Sequence, residues 1–148
     1  MAERRGSAER ATTLLLFPAA VLVLIVLAAI AIDMSMIHLT RREVVRAASH
    51  AADDAAALIE LDGLRRGEPV SIDLVAATRL VRTELAAARL PGRIVDGPRV
   101  ERVSGSATVS VTLTVEVAHI FARGVPGGPD SERFTVRVEA RLLDVTDP

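Results

Sequence analysis

His50, Asp53 and Asp54 bring one imidazole and two carboxylates within a single helical turn. His50 and Asp54 are four residues apart, so both side chains can reach one ion from the same helix face. Two ligands do not make a metal site, and no further ligand can be placed beside them from spacing alone. The pair therefore reads as a solvated face. His38 and His119 stand without partners in the sequence, and His119, at the end of a strand pattern, reads as a surface residue. Serines, threonines and aspartates are present, but no nucleophile elbow, paired His-Glu motif or phosphate-binding loop accompanies them. Gly127-Gly128 is turn chemistry. The expectation is a chain that is not an enzyme and takes no cofactor or metal. Asp33 follows directly on a long apolar run, which makes it the membrane-boundary residue. Arg41, Arg42 and Arg46 come after it and offer only three charges to anionic lipid.

Composition narrows the classes further. The net charge is −1, and acidic residues outnumber arginines after residue 32. A nucleic-acid-binding domain would carry a basic excess. Cysteine is absent, so an extracytoplasmic domain must fold without disulfides and thiolate zinc sites are excluded. Tyr and Trp are absent and only 3 Phe occur. The chain therefore has neither an aromatic belt at a bilayer surface nor an aromatic platform for bases or sugars.

The element that must position these residues is the run at 12–32, which contains no charge and includes Pro18. A bilayer core needs about 20 apolar helical residues. An apolar surface on all sides is what lipid, rather than a small soluble core, accommodates. The expected domains are a cytoplasmic N-terminal tail at 1–11, a transmembrane helix at 12–32 and an extracytoplasmic α+β domain at 33–148. Arg10 stands closer to the run than Arg41 does, which orients the N-terminus inside. Two other readings stay open. Ala29-Ile30-Ala31 has the small-x-small pattern of a signal cleaved after Ala31. A short leader processed after Gly6 would leave Ser7 first.

Beyond the run, the helical pattern continues to about residue 61. Ile37, Val44, Ala51 and Leu58 recur every seven residues, with Ala48 and Ala55 between them. This alanine-rich seam permits close approach of a neighbour and is expected to be a helix-packing interface; Ala51→Glu should then abolish partner association. Asp62-Gly63 ends the helix, and 65–69 is a polar loop. Ser71 is expected to cap a second helix, with Asp73 in its first turn. That helix presents Leu74, Val75, Ala77, Leu80, Val81, Leu85 and Ala88 on one face, and Leu90-Pro91-Gly92 stops it. The period then falls to two. Residues 93–103 form a weak strand broken at Asp96-Gly97-Pro98, and 104–106 is a turn. Ala107, Val109, Val111, Leu113, Val115 and Val117 alternate with polar residues. Phe134, Val136, Val138, Ala140 and Leu142 do the same after a Pro-Gly loop. A small antiparallel meander of about three strands is expected, covered by the two helices.

Four pieces taken in order resemble the TadE/TadG-like proteins of tight-adherence (Flp) pilus systems, in the form common in actinobacteria. They are Arg5-Gly6-Ser7-Ala8, then Leu14-Leu15-Leu16-Phe17-Pro18, then Ala31-Ile32-Asp33 with Arg41-Arg42, and the alanine segment from Ala47-Ala48 to Asp53-Asp54-Ala55-Ala56-Ala57. They cover about the first 60 residues. The resemblance implies a pilin-like fold and a minor pilin or pseudopilin role in a pilus or secretion assembly. The implied partners are the membrane, other pilin or TadE/TadG-like subunits, the assembly machinery and further copies of the chain, with no nucleic acid. TadE-type members are processed after a glycine and usually carry Glu at the fifth mature position. Counting from Ser7, that position is Ala11 and Glu9 is third, which fits the uncleaved anchor of TadG-type members better. The alternatives are a membrane-anchored ligand-binding or sensor domain, or a small secreted domain released after Ala31.

Overall fold

The computed structural model describes residues 3–67, 71–103 and 108–141. It is α+β. The order is α1 (Glu3–Ala56), α2 (Leu61–Arg65), α3 (Leu74–Ala87), β1 (Arg93–Arg102), β2 (Thr108–Ala118) and β3 (Ser131–Arg141). A single 3-10 turn, Ala122–Gly124, lies between β2 and β3. The three strands form one antiparallel sheet in the order β1-β2-β3. Ala107, Leu142 and the turn at 104–106 lie outside the described residues.

The chain divides into two compact units, Met1–Met36 with His119–Asp130, and Ile37–Ala118 with Ser131–Pro148. In the first unit, α1 is long and apolar enough from Leu16 onward to cross a membrane. Pro18 lies within it. A proline this near the start of an apolar helix removes one hydrogen bond without ending the helix. From Leu16 to Ile32 the large apolar side chains face outward all round, with Phe17 73% and Leu24 67% exposed.

The second unit holds the core. Val44, Ala48, Ala51, Ala52 and Ala55 of α1 are fully buried. They share one cluster with Ala77, Val81 and Leu85 of α3 and with Val109, Val111, Leu113, Val115 and Val117 of β2. Strict alternation on β2 sends its valines to one face because successive strand side chains point to opposite sides. Ser110 is also buried, against that alternation. The register of β2 with β3 is unbroken from Thr108↔Arg141 to Ala118↔Ser131.

Several boundaries differ from the sequence expectation. The first helix stops at Ala56, not near residue 61, because the chain then pairs with a later segment. Ile59 bridges Ile72, and the Asp73 N–H donates to the Leu58 carbonyl at 2.9 Å. Asp62 and Gly63, expected to end the first helix, lie instead within the separate short helix α2. Asp73, not Ser71, caps α3, accepting from the Val75 and Ala76 amides at 3.0 Å. A carboxylate at the cap satisfies two otherwise orphaned amides. Ser71 donates to Glu60 at 2.8 Å. The buried face of α3 is narrower than expected, since Val75 is 72% exposed and Ala88 lies beyond the last turn.

β1 is one strand rather than a broken one. Its register slips on either side of Asp96, so the Asp96-Gly97-Pro98 segment is taken up as a bulge. Gly97 has φ +89, and a Cβ there would stand 2.7 Å from the Thr112 carbonyl oxygen. Only glycine meets both demands.

Candidate functional site

Asp33 is the last polar stop of the apolar run, and it is buried, 5% exposed. Its carboxylate collects the amides of three consecutive residues. Ile120 N–H donates to Oδ1 at 2.8 Å, Phe121 N–H to both oxygens at 3.1 Å, and Ala122 N–H to Oδ2 at 2.8 Å. Hydrogen bonds to an ionised acceptor are shorter and stronger than neutral ones. Three amides converging on one carboxylate form an anion nest, with the anion supplied by the chain itself. The structure thereby joins residues 87 to 89 positions apart.

The segment so gripped is the connection from β2 to β3. Its base is closed by His119 N–H donating to the Asp130 carbonyl at 3.0 Å. Its middle is a 3-10 turn, with Gly124 N–H on Phe121 and Val125 N–H on Ala122. Gly128 N–H bonds Val125 at 2.8 Å, and a Cβ at Gly128 would collide with the Ala122 carbonyl. Most of the loop's shape is therefore set by backbone groups.

His119 is buried rather than at the surface. The chain passes from β2 directly into the gripped loop, which folds this ring inward beside Asp33. Its Nδ1 stands 3.8 Å from Asp33 Oδ2. That is outside hydrogen-bond distance, and Nδ1 has no hydrogen-bond partner among the described residues. The Asp33 oxygens are occupied by amides, and the arrangement holds a loop in place.

The seam expected to meet other subunits is closed by the chain itself. Ile37 is 7% exposed, and Val44, Ala48, Ala51 and Ala55 are at 0%. Leu58 lies past the end of α1 and packs partly buried against the same cluster. The physical reason is that the stripe shares one buried apolar cluster with Ala77, Val81 and Leu85 of α3 and with the valines of β2. A helix face already covered in this way is not free for a partner. Ala51→Glu would strike the core of the fold, not an interface.

His50, Asp53 and Asp54 are exposed on α1. Glu84 of α3, which sequence spacing did not bring to them, lies near enough to Asp54 for the two carboxyl groups to interact. Partial burial and this second carboxyl together push the Glu84 pKa up, while His50 opposes the shift. Among the described residues no group of three ligating side chains could hold a metal ion. Arg41, Arg42 and Arg46 are exposed. Gly6 and Ser7 fall within the first turns of α1.

On the sheet, Glu116 is held down to about 2 by Arg93, Arg133 and the Ser131 hydroxyl. Arg93 donates at 2.7 Å and Arg133 at 2.9 Å. Nothing in the sequence marked this cluster, because its members come from three different strands.

No family model matches the chain, and neither a curated protein nor a solved structure is significantly similar to it.

Proposed function

We propose that this chain is a single-pass membrane protein, with its N-terminus cytoplasmic and residues 33–148 extracytoplasmic. In this reading it serves as a minor pilin-like subunit of the TadE/TadG kind, in a Flp pilus or a related secretion assembly. It works by packing and contact, not by catalysis. The observation that carries the reading is the exposed apolar half of α1. Eleven large apolar side chains from Leu16 to Ile32 stand 40% or more exposed. Burying each is worth about 1.5–3 kcal/mol, so leaving them in water costs well over ~10 kcal/mol. A bilayer removes that cost. The order of one long helix, a shorter helix and an antiparallel meander supports the pilin-like part of the proposal.

Partner contacts then fall to surfaces other than the alanine seam. Leu39 is 57% and Val45 38% exposed on α1 beyond Met36, and they are apolar residues of the ectodomain helix left for a neighbour. Because the chain has no cysteine, topology can be read with single introduced thiols. A membrane-impermeant maleimide applied to intact cells should label Ser131→Cys and spare Ala2→Cys. Equal labelling of both would refute the anchored topology. For the pilus role, a strain lacking the chain should lose surface filaments or secretion through the assembly, and Leu39→Glu should fail to restore them. Filaments and secretion that persist unchanged in the deletion strain would refute the assembly role.

A further inference from the structure

The loop gripped by Asp33 does not lie flat against α1. Between the two is a cleft of about 330 Å³, lined by Val26, Ala29, Ile30 and Met34 from the helix and by Phe121 and Val125 from the loop. Around its mouth the loop turns apolar side chains outward: Ile120 is 46%, Phe121 44% and Val125 59% exposed. Water is a poor solvent for this group, yet the loop is held in that posture by three backbone amides hydrogen-bonded to a buried carboxylate.

We infer that loop 119–130 is a second membrane-contact element, entering the outer leaflet beside the transmembrane helix, with a phospholipid acyl chain occupying the cleft. The inference rests on the anchored topology proposed above. Its ground is continuity: the floor of the cleft, Val26, Ala29 and Ile30, is part of the apolar run itself. Val26 lies seven residues before Asp33, or about 10 Å along a helix rising 1.5 Å per residue. One leaflet contributes ~15 Å of hydrocarbon, so the floor stands at acyl-chain depth and the loop at the headgroup boundary. An apolar segment at that level sits as interfacial amphipathic elements do.

The chemistry of the lining favours a hydrocarbon over a polar ligand. The Asp33 oxygens are already taken by amides, and the other polar side chain present, His119, is buried at the back. A polar ligand entering the cleft would leave its own groups unpaired. Arg123 is exposed on the same turn, which sets a cation at the level of lipid phosphates.

The chain contains no Trp, so a single introduced indole reports its own surroundings. Full-length Phe121→Trp and, separately, Leu24→Trp would be reconstituted into phosphatidylcholine vesicles with bromine on the acyl chains. We expect emission from both to fall about twofold or more against unbrominated vesicles, as for a side chain buried in the leaflet boundary. Adding Asp33→Asn to Phe121→Trp should release the loop and restore most of that emission, while Leu24→Trp stays quenched. Quenching of Leu24→Trp without quenching of Phe121→Trp overturns the loop inference and leaves the anchor standing. Blue-shifted but unquenched emission from Phe121→Trp means that protein, a second copy or a partner, covers the loop, and overturns it too. If Leu24→Trp is also unquenched, the anchored topology fails and the lipid contact falls with it.

Discussion

The two halves of α1 are one helix with two surfaces. From Leu16 to Ile32 the residues are mostly large, and nearly every one is exposed; from Ile37 to Ala56 they are mostly small or polar, and one stripe is wholly buried. The first half is apolar on all sides, so no one-sided partner could cover it. The second is apolar on a single stripe narrow enough for a sheet. The difference teaches that hydrophobicity alone does not locate a core. Within α1 the larger side chains are mostly the exposed ones, and the fully buried stripe is largely alanine. Bulk suits a fluid solvent that conforms to any shape. Small side chains suit a rigid neighbour whose own valines supply the volume.

Charge insertion is the strongest way to break this contrast. Ala51→Glu places a carboxylate at a fully buried position of the second half. The expected loss is about 3–5 kcal/mol or more, enough to unfold the second compact unit, and it is checked by thermal melting with circular dichroism. Leu24→Glu in the first half should leave that melt unchanged. It should instead weaken insertion, at a cost of roughly 2.5–3.5 kcal/mol near the centre of a membrane helix, read as a shift from the membrane to the soluble fraction. If the two substitutions have the same effect, the halves are not distinct.

A smaller effect sharpens the contrast from the opposite wall. Leu113 of β2 is 1% exposed in the same cluster as Ala51. Leu113→Ala should cost about 2–5 kcal/mol in denaturant unfolding of the second compact unit and leave membrane partition untouched.

The smallest effects are electrostatic and have opposite signs. Glu116 has its pKa lowered from 4.5 to about 2 by Arg93, Arg133 and Ser131. Its contribution is therefore present above pH 4.5 and lost as pH falls toward 2. Glu116→Gln should flatten the acid limb of the stability curve. Glu84 has its pKa raised by burial and by Asp54. The folded state therefore prefers it protonated, and that advantage disappears as pH rises through its folded pKa. Glu84→Gln should leave the protein slightly more stable at neutral pH, measured as a higher Tm at pH 7 than at pH 4 relative to the unaltered chain. Both titrations belong to the second compact unit, so neither should move membrane partition.

Much of the fold was legible because it rests on periodicity. The alternation from Val109 to Val117 specified β2 and its buried face, and the seven-residue spacing from Ile37 specified the buried stripe of α1. What the stripe could not reveal was its partner. A row of alanines records only that something packs close, and the same row fits another helix or the chain's own sheet. The cap of α3 was misplaced because Ser71 and Asp73 are both good capping residues. The pairing of 58–60 with 71–73, which decides between them, is a contact that periodicity does not record. Asp33 was legible as the end of the apolar run but not as a grip on Ile120, Phe121 and Ala122. Its partners are main-chain amides, which every residue except proline possesses. His119 was misread for the same reason, since its burial follows from where the loop is pulled.

Because the grip of Asp33 is on main chain alone, it is indifferent to the side chains it carries. Positions 120, 121 and 122 can exchange almost any residue for another and still be held at the same height, as a fixed socket accepts different tips. Proline alone breaks the fitting, since it has no amide to offer. The tip of this loop is thus a place where the chain can change what it touches without changing where it stands.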